Sequence, residues 1–219
     1  MLYESHSITG DAGADTLVTW VADGRVRVSH HGGVAILDAV GDRFVLLDPT
    51  TRTVRSMSLA AWEAKLRDAV RSAVDSASGA PPQSAALPQS AALTFELAGD
   101  GGTVAGFGCA RYHLFTTRQV FPGEWEDVEQ EIWVSRELAL PAGALATYER
   151  VLESLDWIGL DARVERPPGI ALRTRLRRHS HTEPAGTDEV ETNEVFRVEA
   201  RAVPESIFAV PRGYSNATK

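Results

Sequence analysis

Cysteine, long apolar runs and basic charge are all scarce in this chain of 219 residues. The single cysteine, Cys109, excludes an intrachain disulfide and a zinc site built from several cysteines. Apolar runs such as Val34–Leu37 and Phe44–Leu47 span four residues, whereas a membrane-spanning helix needs about 20. Acidic residues outnumber basic ones by 30 to 22, which gives a formal charge of −8. Binding to nucleic acid would therefore require a concentrated basic patch.

The remaining composition is that of an ordinary globular protein, with 43% hydrophobic and 24% charged residues. A chain of this length forms one large domain or two small ones. It can bury a substantial core, because a chain of about 200 residues removes roughly 70% of its unfolded surface from water.

The first third of the chain has the pattern of a β-meander. Short runs of β-branched and large apolar residues alternate with turn signals such as Asp23-Gly24 and Gly41-Asp42. This spacing favours antiparallel strands over βαβ units. The predicted strands are Leu17–Val21, Arg25–Ser29, Val34–Asp38, Arg43–Asp48 and Arg52–Met57.

From Ser58 the apolar residues recur every three or four positions, which is the period of a helix. Leu59, Trp62 and Leu66 lie on this stripe, which continues to about Asp75. We predict an amphipathic helix over Ser58–Asp75, with Ser58 as its N-cap. The helix either packs on the sheet or covers an apolar cavity with the same face.

A stretch rich in Ala, Ser and Pro follows at residues 76–92, and the hexapeptide PQSAAL occurs twice in tandem near its end. A short repeat without aromatic residues buries little surface, so we predict a flexible insert. We predict that the insert interrupts a single domain of residues 1–219, because each flank alone would be a partial sheet with exposed edges. The alternative is a boundary between two domains.

Strands resume after the insert, and Gly99-Asp100-Gly101-Gly102 is predicted to be a turn. A second helix is predicted at Pro141–Asp156. Two long strands end the pattern, one around Ile170–Arg177 and one around Phe196–Arg201. The predicted strands between the insert and the second helix are Leu93–Leu97, Thr103–Phe107, Cys109–Phe115 and Val128–Ser135.

Three segments resemble the LolA-like and LppX-like superfamily of periplasmic lipoprotein carriers, in particular an uncharacterised bacterial envelope family within it. They are Gly102–Tyr112 (GTVAGFGCARY), Glu131–Leu138 (EIWVSREL) and Phe208–Tyr214 (FAVPRGY). The resemblance spans most of residues 2–214. It implies a mainly β (α+β) fold, in which a strongly curved antiparallel half-barrel sheet wraps over two main helices.

The resemblance also implies a non-enzymatic protein of the cell envelope that holds a lipid or another apolar ligand in a concave cavity. It supplies no catalytic residue, cofactor or metal. Aromatic residues on the predicted strands and first helix are the candidates to line this cavity, because ligand pockets are chiefly apolar. The predicted ligand-binding residues are Trp20, Phe44, Trp62, Leu66, Tyr112, Trp133 and Phe196.

Location follows from the resemblance rather than from the N-terminus. Residues Met1–Gly10 contain no basic segment followed by an apolar stretch, so no signal peptide is visible. We expect a periplasmic or extracellular protein whose signal has been removed, with the cytoplasm as the alternative.

Two other function classes stay open at this point. The first is a structural or interaction module with a filled core, which contacts another envelope protein and binds no small ligand. The second is a hydrolase, for which His179 and His181 share one face of a strand near Glu183 and Asp188. The same two histidines are a candidate pair of metal ligands, although solvated turn histidines are the more common explanation of such a pair.

Two further patterns have structural explanations. Cys109 and His113 lie about 13 Å apart along one strand, which is too far for a thiolate–imidazolium pair. The one basic cluster of the sequence lies on a single predicted strand and consists of Arg173, Arg175, Arg177 and Arg178. The strand that returns beside it is rich in glutamate, with Glu189, Glu191, Glu194 and Glu199. We predict cross-strand ion pairs there. We expect no aromatic residues on this arginine face on which bases could stack. This argues against binding of single-stranded nucleic acid.

Overall fold

A sheet of 12 strands dominates the computed structural model. The structure describes residues 1–9, 14–22, 24–65, 68, 94–121, 124–138, 167–181 and 188–217. The predicted second helix at Pro141–Asp156 and the predicted insert at residues 76–92 lie outside these ranges. How the chain divides into domains stays a prediction.

The strands follow one another in linear order across most of the sheet, β12-β6-β5-β4-β3-β2-β1-β11-β10-β9-β8-β7. Neighbouring strands are antiparallel except for β12, which pairs in parallel with β6. Their bounds are β1 Leu2–Thr9, β2 Ala14–Ala22, β3 Arg25–His30, β4 Gly33–Asp38, β5 Arg43–Asp48, β6 Thr53–Met57, β7 Glu96–Val104, β8 Phe107–Phe121, β9 Glu124–Ser135, β10 Ile170–Ser180, β11 Asp188–Glu199 and β12 Ser215–Asn216.

The predicted antiparallel sheet is confirmed, but the predicted half-barrel wrapped over two main helices is wrong. The sheet is open, with β12 and β7 at its two ends. Within the described ranges, helical structure is short: residues 59–65 with residue 68, and a 3₁₀ helix at Glu205–Phe208. The physical reason is that the strands carry buried side chains on both faces, such as Val26 on one and Ile36 on the other, so helices on one side could not cover them.

The predicted meander forms as β2–β6. Arginines and valines alternate along β3, so Val26 faces the core while Arg25 and Arg27 point to the other face. Val21, Val26, Leu37 and Phe44 are cross-strand partners in one row and all are buried. We call the side of the sheet that carries this row the apolar face.

The helical segment 59–65 packs on the apolar face. Its start is capped as predicted, because the Ala61 backbone N–H donates to the Ser58 hydroxyl at 3.2 Å. Leu59 is buried between Leu37 and Phe44. This first helical turn therefore closes the apolar face over β4 and β5.

The opposite face of β3–β6 is covered by the C-terminal segment. Phe208 of the 3₁₀ helix packs against Ile36 and Val45. Arg25 pairs with Glu205 at 2.9 Å, and Arg27 donates to the Ile207 carbonyl at 2.5 Å. The C-terminal segment therefore buries the apolar side chains of this face.

The hairpin between β7 and β8 turns later than the sequence predicts. Gly99 and Gly102 lie within β7, where the pairing with β8 shifts register. The turn falls at Ala105 and Gly106, which have φ values of 50° and 86°. Two successive positive φ values are typical of a type I′ turn, whose twist matches that of the strands.

We predict that Leu172→Ala lowers the free energy of unfolding by about 2–5 kcal/mol, the usual loss for a buried leucine. Leu172 is 1% exposed and lies in a core cluster with Val21 and Cys109. Urea unfolding followed by tryptophan fluorescence measures the change. The matched control is Leu97→Ala, because Leu97 is 64% exposed and should lose less than about 0.5 kcal/mol. Equal losses at the two positions would contradict the assignment of the core.

Candidate functional site

Of the seven predicted ligand-binding residues, the structure brings Phe44 and Trp62 together. Their rings stack at a centroid distance of 4.3 Å, with Phe44 buried and Trp62 half-buried. Leu66, the next residue of the predicted helical stripe, lies outside the described residues.

The other predicted residues lie in separate clusters. Trp20 packs with the Ile36 and Phe208 cluster, on the face opposite Phe44, and Arg201 lies 4.5 Å above its ring. Tyr112 is buried with Leu114 and Ile132 in another cluster.

Arginine side chains contact Tyr112 and Trp133, two further aromatic residues of the predicted set. The Tyr112 hydroxyl accepts a hydrogen bond from Arg136 at 2.7 Å. Trp133 has the Arg173 guanidinium 5.2 Å from its ring. Phe196 is 44% exposed on β11. The predicted set is therefore spread over both faces of the sheet, and its role in ligand binding stays a prediction.

The apolar face is only partly covered beside the Phe44–Trp62 stack. Leu46 shares this face with Phe44, because the two residues are two apart on β5, and it is 40% exposed. Its row continues through Ala35 and Val28, both half-buried. We call Val28, Ala35, Leu46 and Trp62 the open apolar strip.

The other candidate site is a face of β8–β11 covered with paired charges, which we call the charged face. Its centre is the alternating series Arg173, Arg175, Arg177 and His179 on β10. The predicted pairing with β11 is confirmed: Arg173 forms a salt bridge to Glu194 at 2.7 Å. On the opposite side of the same strand, Arg178 pairs with Glu189 at 3.1 Å.

Strand β9 also supplies acidic partners, which the sequence-based prediction did not include. Glu131 lies 3.7 Å from Arg175 and 3.6 Å from Arg111. Because Glu131 is the direct register partner of both Arg175 and His113, it lies between two positively charged strands. The charged face is thus a network across four strands rather than one pair of strands.

Three histidines of this face each contact a carboxylate. His113 Nε2 lies 3.1 Å from Glu129. His179 Nδ1 lies 2.6 Å from Asp188, and His181 Nε2 lies 3.0 Å from Asp127. The rings of His179 and His181 are neighbours, with centroids 5.2 Å apart and planes at 89°.

These contacts lower the pKa of two aspartates below the ordinary value. The pKa of Asp188 is lowered mainly by its hydrogen bond with His179, and next by the charge of Arg177. The pKa of Asp127 is lowered first by a hydrogen bond from Thr117 and then by one with His181. Both carboxylates therefore stay ionised through the physiological pH range.

Aromatic residues are present on this face, so the sequence-based expectation that it lacks them is wrong. Trp133 lies beneath Arg173. Trp125 is 48% exposed and Phe115 is 57% exposed, and Phe115 is the register partner of Glu129. The period-2 series Trp125, Asp127, Glu129, Glu131 and Trp133 along β9 is the signal that could have placed them there.

Cys109 has the environment of a packed side chain. It is buried, and burial raises the pKa of its thiol above the ordinary value. The thiol donates to the Phe107 carbonyl at 3.5 Å. Its chemistry is therefore that of a protonated, weakly nucleophilic thiol.

No group of three or more His, Cys, Asp or Glu residues within the described ranges is arranged to hold a metal ion. No helix among the same residues is long and apolar enough to cross a membrane.

No known family model matches the chain, and no curated protein matches it.

We predict that Asp188→Asn destabilises the protein at pH 6 and has a smaller effect at pH 2.5. The folded-state pKa of Asp188 is lowered, so its charge adds stability above the unfolded-state pKa, near 4. That stability is lost as the pH falls through the folded-state pKa. Urea unfolding of both proteins at the two pH values measures the difference, with Asp68→Asn on the helical segment as control. If Asp188→Asn lowers the free energy of unfolding by the same amount at both pH values, the stabilising role of this charge is contradicted.

Proposed function

We propose that this chain is a non-enzymatic binding protein of the cell envelope that holds an apolar ligand, such as a lipid or an acyl chain. The open apolar strip is the proposed contact surface. Its partial exposure is the observation that supports the proposal, because a filled sheet–helix interface would leave no apolar surface for a ligand.

The geometry of the strip suits a linear apolar group. Leu46, Ala35 and Val28 are direct neighbours across three strands, which are spaced about 4.8 Å apart. Trp62 stands beside the row, because its ring stacks on Phe44, two residues from Leu46 along β5. An acyl chain lying across the strands would contact the row and the exposed side of the indole ring.

The resemblance to the lipoprotein carriers supports the same ligand class and a periplasmic or extracellular location, with the cytoplasm as the alternative. Within the strip, Ala35 and Trp62 pack beside Leu37, Phe44 and Leu59, next to the helical segment 59–65.

An interaction module is the second candidate function, and the charged face favours it. Phe115 and Trp125 expose large aromatic surfaces beside arginine and acidic residues. Protein interfaces are enriched in aromatic residues and arginine, and tryptophan and arginine dominate their binding energy. On this proposal the partner is another envelope protein, and the apolar face serves only as core.

We predict that Leu46→Lys weakens binding of a fluorescent fatty acid about 10- to 100-fold, because it puts a charge where a leucine would be buried by the ligand. Quenching of tryptophan fluorescence by the bound probe gives the affinity. Native mass spectrometry of gently purified protein gives the identity of any ligand already bound.

Leu97→Lys is the matched control, because Leu97 is an exposed leucine on the edge strand β7, outside the open apolar strip. It should bind the probe like the unmodified protein. The proposed function fails if the unmodified protein does not bind the probe and carries no apolar ligand, or if both lysine variants weaken binding equally.

A further inference from the structure

His179 and His181 are held on one face of the sheet by strand pairing. The two residues are two positions apart, which places their side chains on the same side of an extended strand. Pairing of β10 with β9 continues to His181, whose backbone N–H donates to the Trp125 carbonyl at 2.9 Å. The strand pairing keeps the two rings close together. Their centroids are 5.2 Å apart, and the rings lie edge to face.

Each ring has one nitrogen held by a carboxylate from a different neighbouring strand. Asp188 of β11 contacts Nδ1 of His179, and Asp127 of β9 contacts Nε2 of His181. Metal-binding histidines commonly donate one ring N–H to a carboxylate, which fixes the ring and makes the other nitrogen more basic. This leaves Nε2 of His179 and Nδ1 of His181 as the nitrogens for coordination.

The local charge favours a cation. Asp127 and Asp188 contribute two negative charges beside the rings, and Arg177 contributes one positive charge 3.5 Å from Asp188. Both histidine side chains are 45% exposed, so a dissolved ion reaches them and water can complete its coordination.

We propose that His179 and His181 form a two-histidine site for a divalent transition-metal ion, with Asp188 and Asp127 orienting the rings. Imidazole ligands suit copper, zinc and nickel rather than magnesium or calcium. Since the described ranges hold no group of three protein ligands, water supplies the remaining positions. Copper(II) should bind more tightly than zinc, as it does at most nitrogen sites.

The test is a titration of the full chain with Cu²⁺ at pH 7, in a buffer that does not chelate metals. Calorimetry should show one ion bound per chain, and electron paramagnetic resonance should show coordination by two nitrogens. His179→Ala and His181→Ala should each weaken binding at least about tenfold. Asp188→Asn should weaken it by about tenfold, in line with losses at other carboxylate–histidine–metal sites.

Two control variants distinguish this site from unspecific binding to surface histidines. His113 lies on the same charged face and also pairs with a carboxylate, but it has no neighbouring histidine on its strand β8. His30 belongs to a second pair of closely spaced histidines, His30 and His31, at the β3–β4 turn. Neither His113→Ala nor His30→Ala should change the affinity or the resonance spectrum.

The proposal is overturned if Cu²⁺ does not bind, if His179→Ala and His181→Ala bind like the unmodified chain, or if the control variants lose as much affinity. Circular dichroism of each variant checks that it is folded. This outcome is independent of the fatty-acid assay, because the open apolar strip shares no residue with the histidine pair or its carboxylates.

Discussion

Pairing between β1 and β11 is the interaction on which the rest of the sheet depends. β1 is the one strand that joins β2–β6 to β8–β11, the strands on the two sides of the predicted insert. Its register runs from Leu2 opposite Glu199 to Thr9 opposite Glu191, with one bulge after Glu4. On its other edge β1 pairs with β2, and there the Met1 nitrogen donates to the Val21 carbonyl at 2.6 Å.

This join also fixes which side chains face which way in the second half of the sheet. Val195 and Val198 pack against the core cluster of Val21 and Val26, whereas Glu194 faces Arg173 on the other side. The burial of these valines and the placement of Glu194 beside Arg173 therefore both depend on this register. A shift of one residue in this register would exchange the two faces.

Local patterns in the sequence were enough to predict most strands. They were not enough to predict the turns, the contacts between strands or what packs against the sheet. Alternation in Arg25–Ser29 and the acidic strand opposite Arg173 were enough to predict β3 and the β10–β11 pairing. The turn at Ala105 was missed because alanine gives no signal for positive φ. The grouping of His181 with Asp127 was missed because it depends on the register of β9, which no local pattern specifies. The half-barrel was inferred from short matching segments, and these do not determine what covers a sheet.

Native-state hydrogen exchange, followed by mass spectrometry as urea is added, tests most directly whether the β1–β11 join makes one cooperative sheet. Amides of β3–β5 and of β8–β10 should lose protection together, at the same urea concentration, because each half has an unpaired edge once the join is broken. Loss of protection in one half while the other stays protected would contradict this account and would show two independently stable sheets.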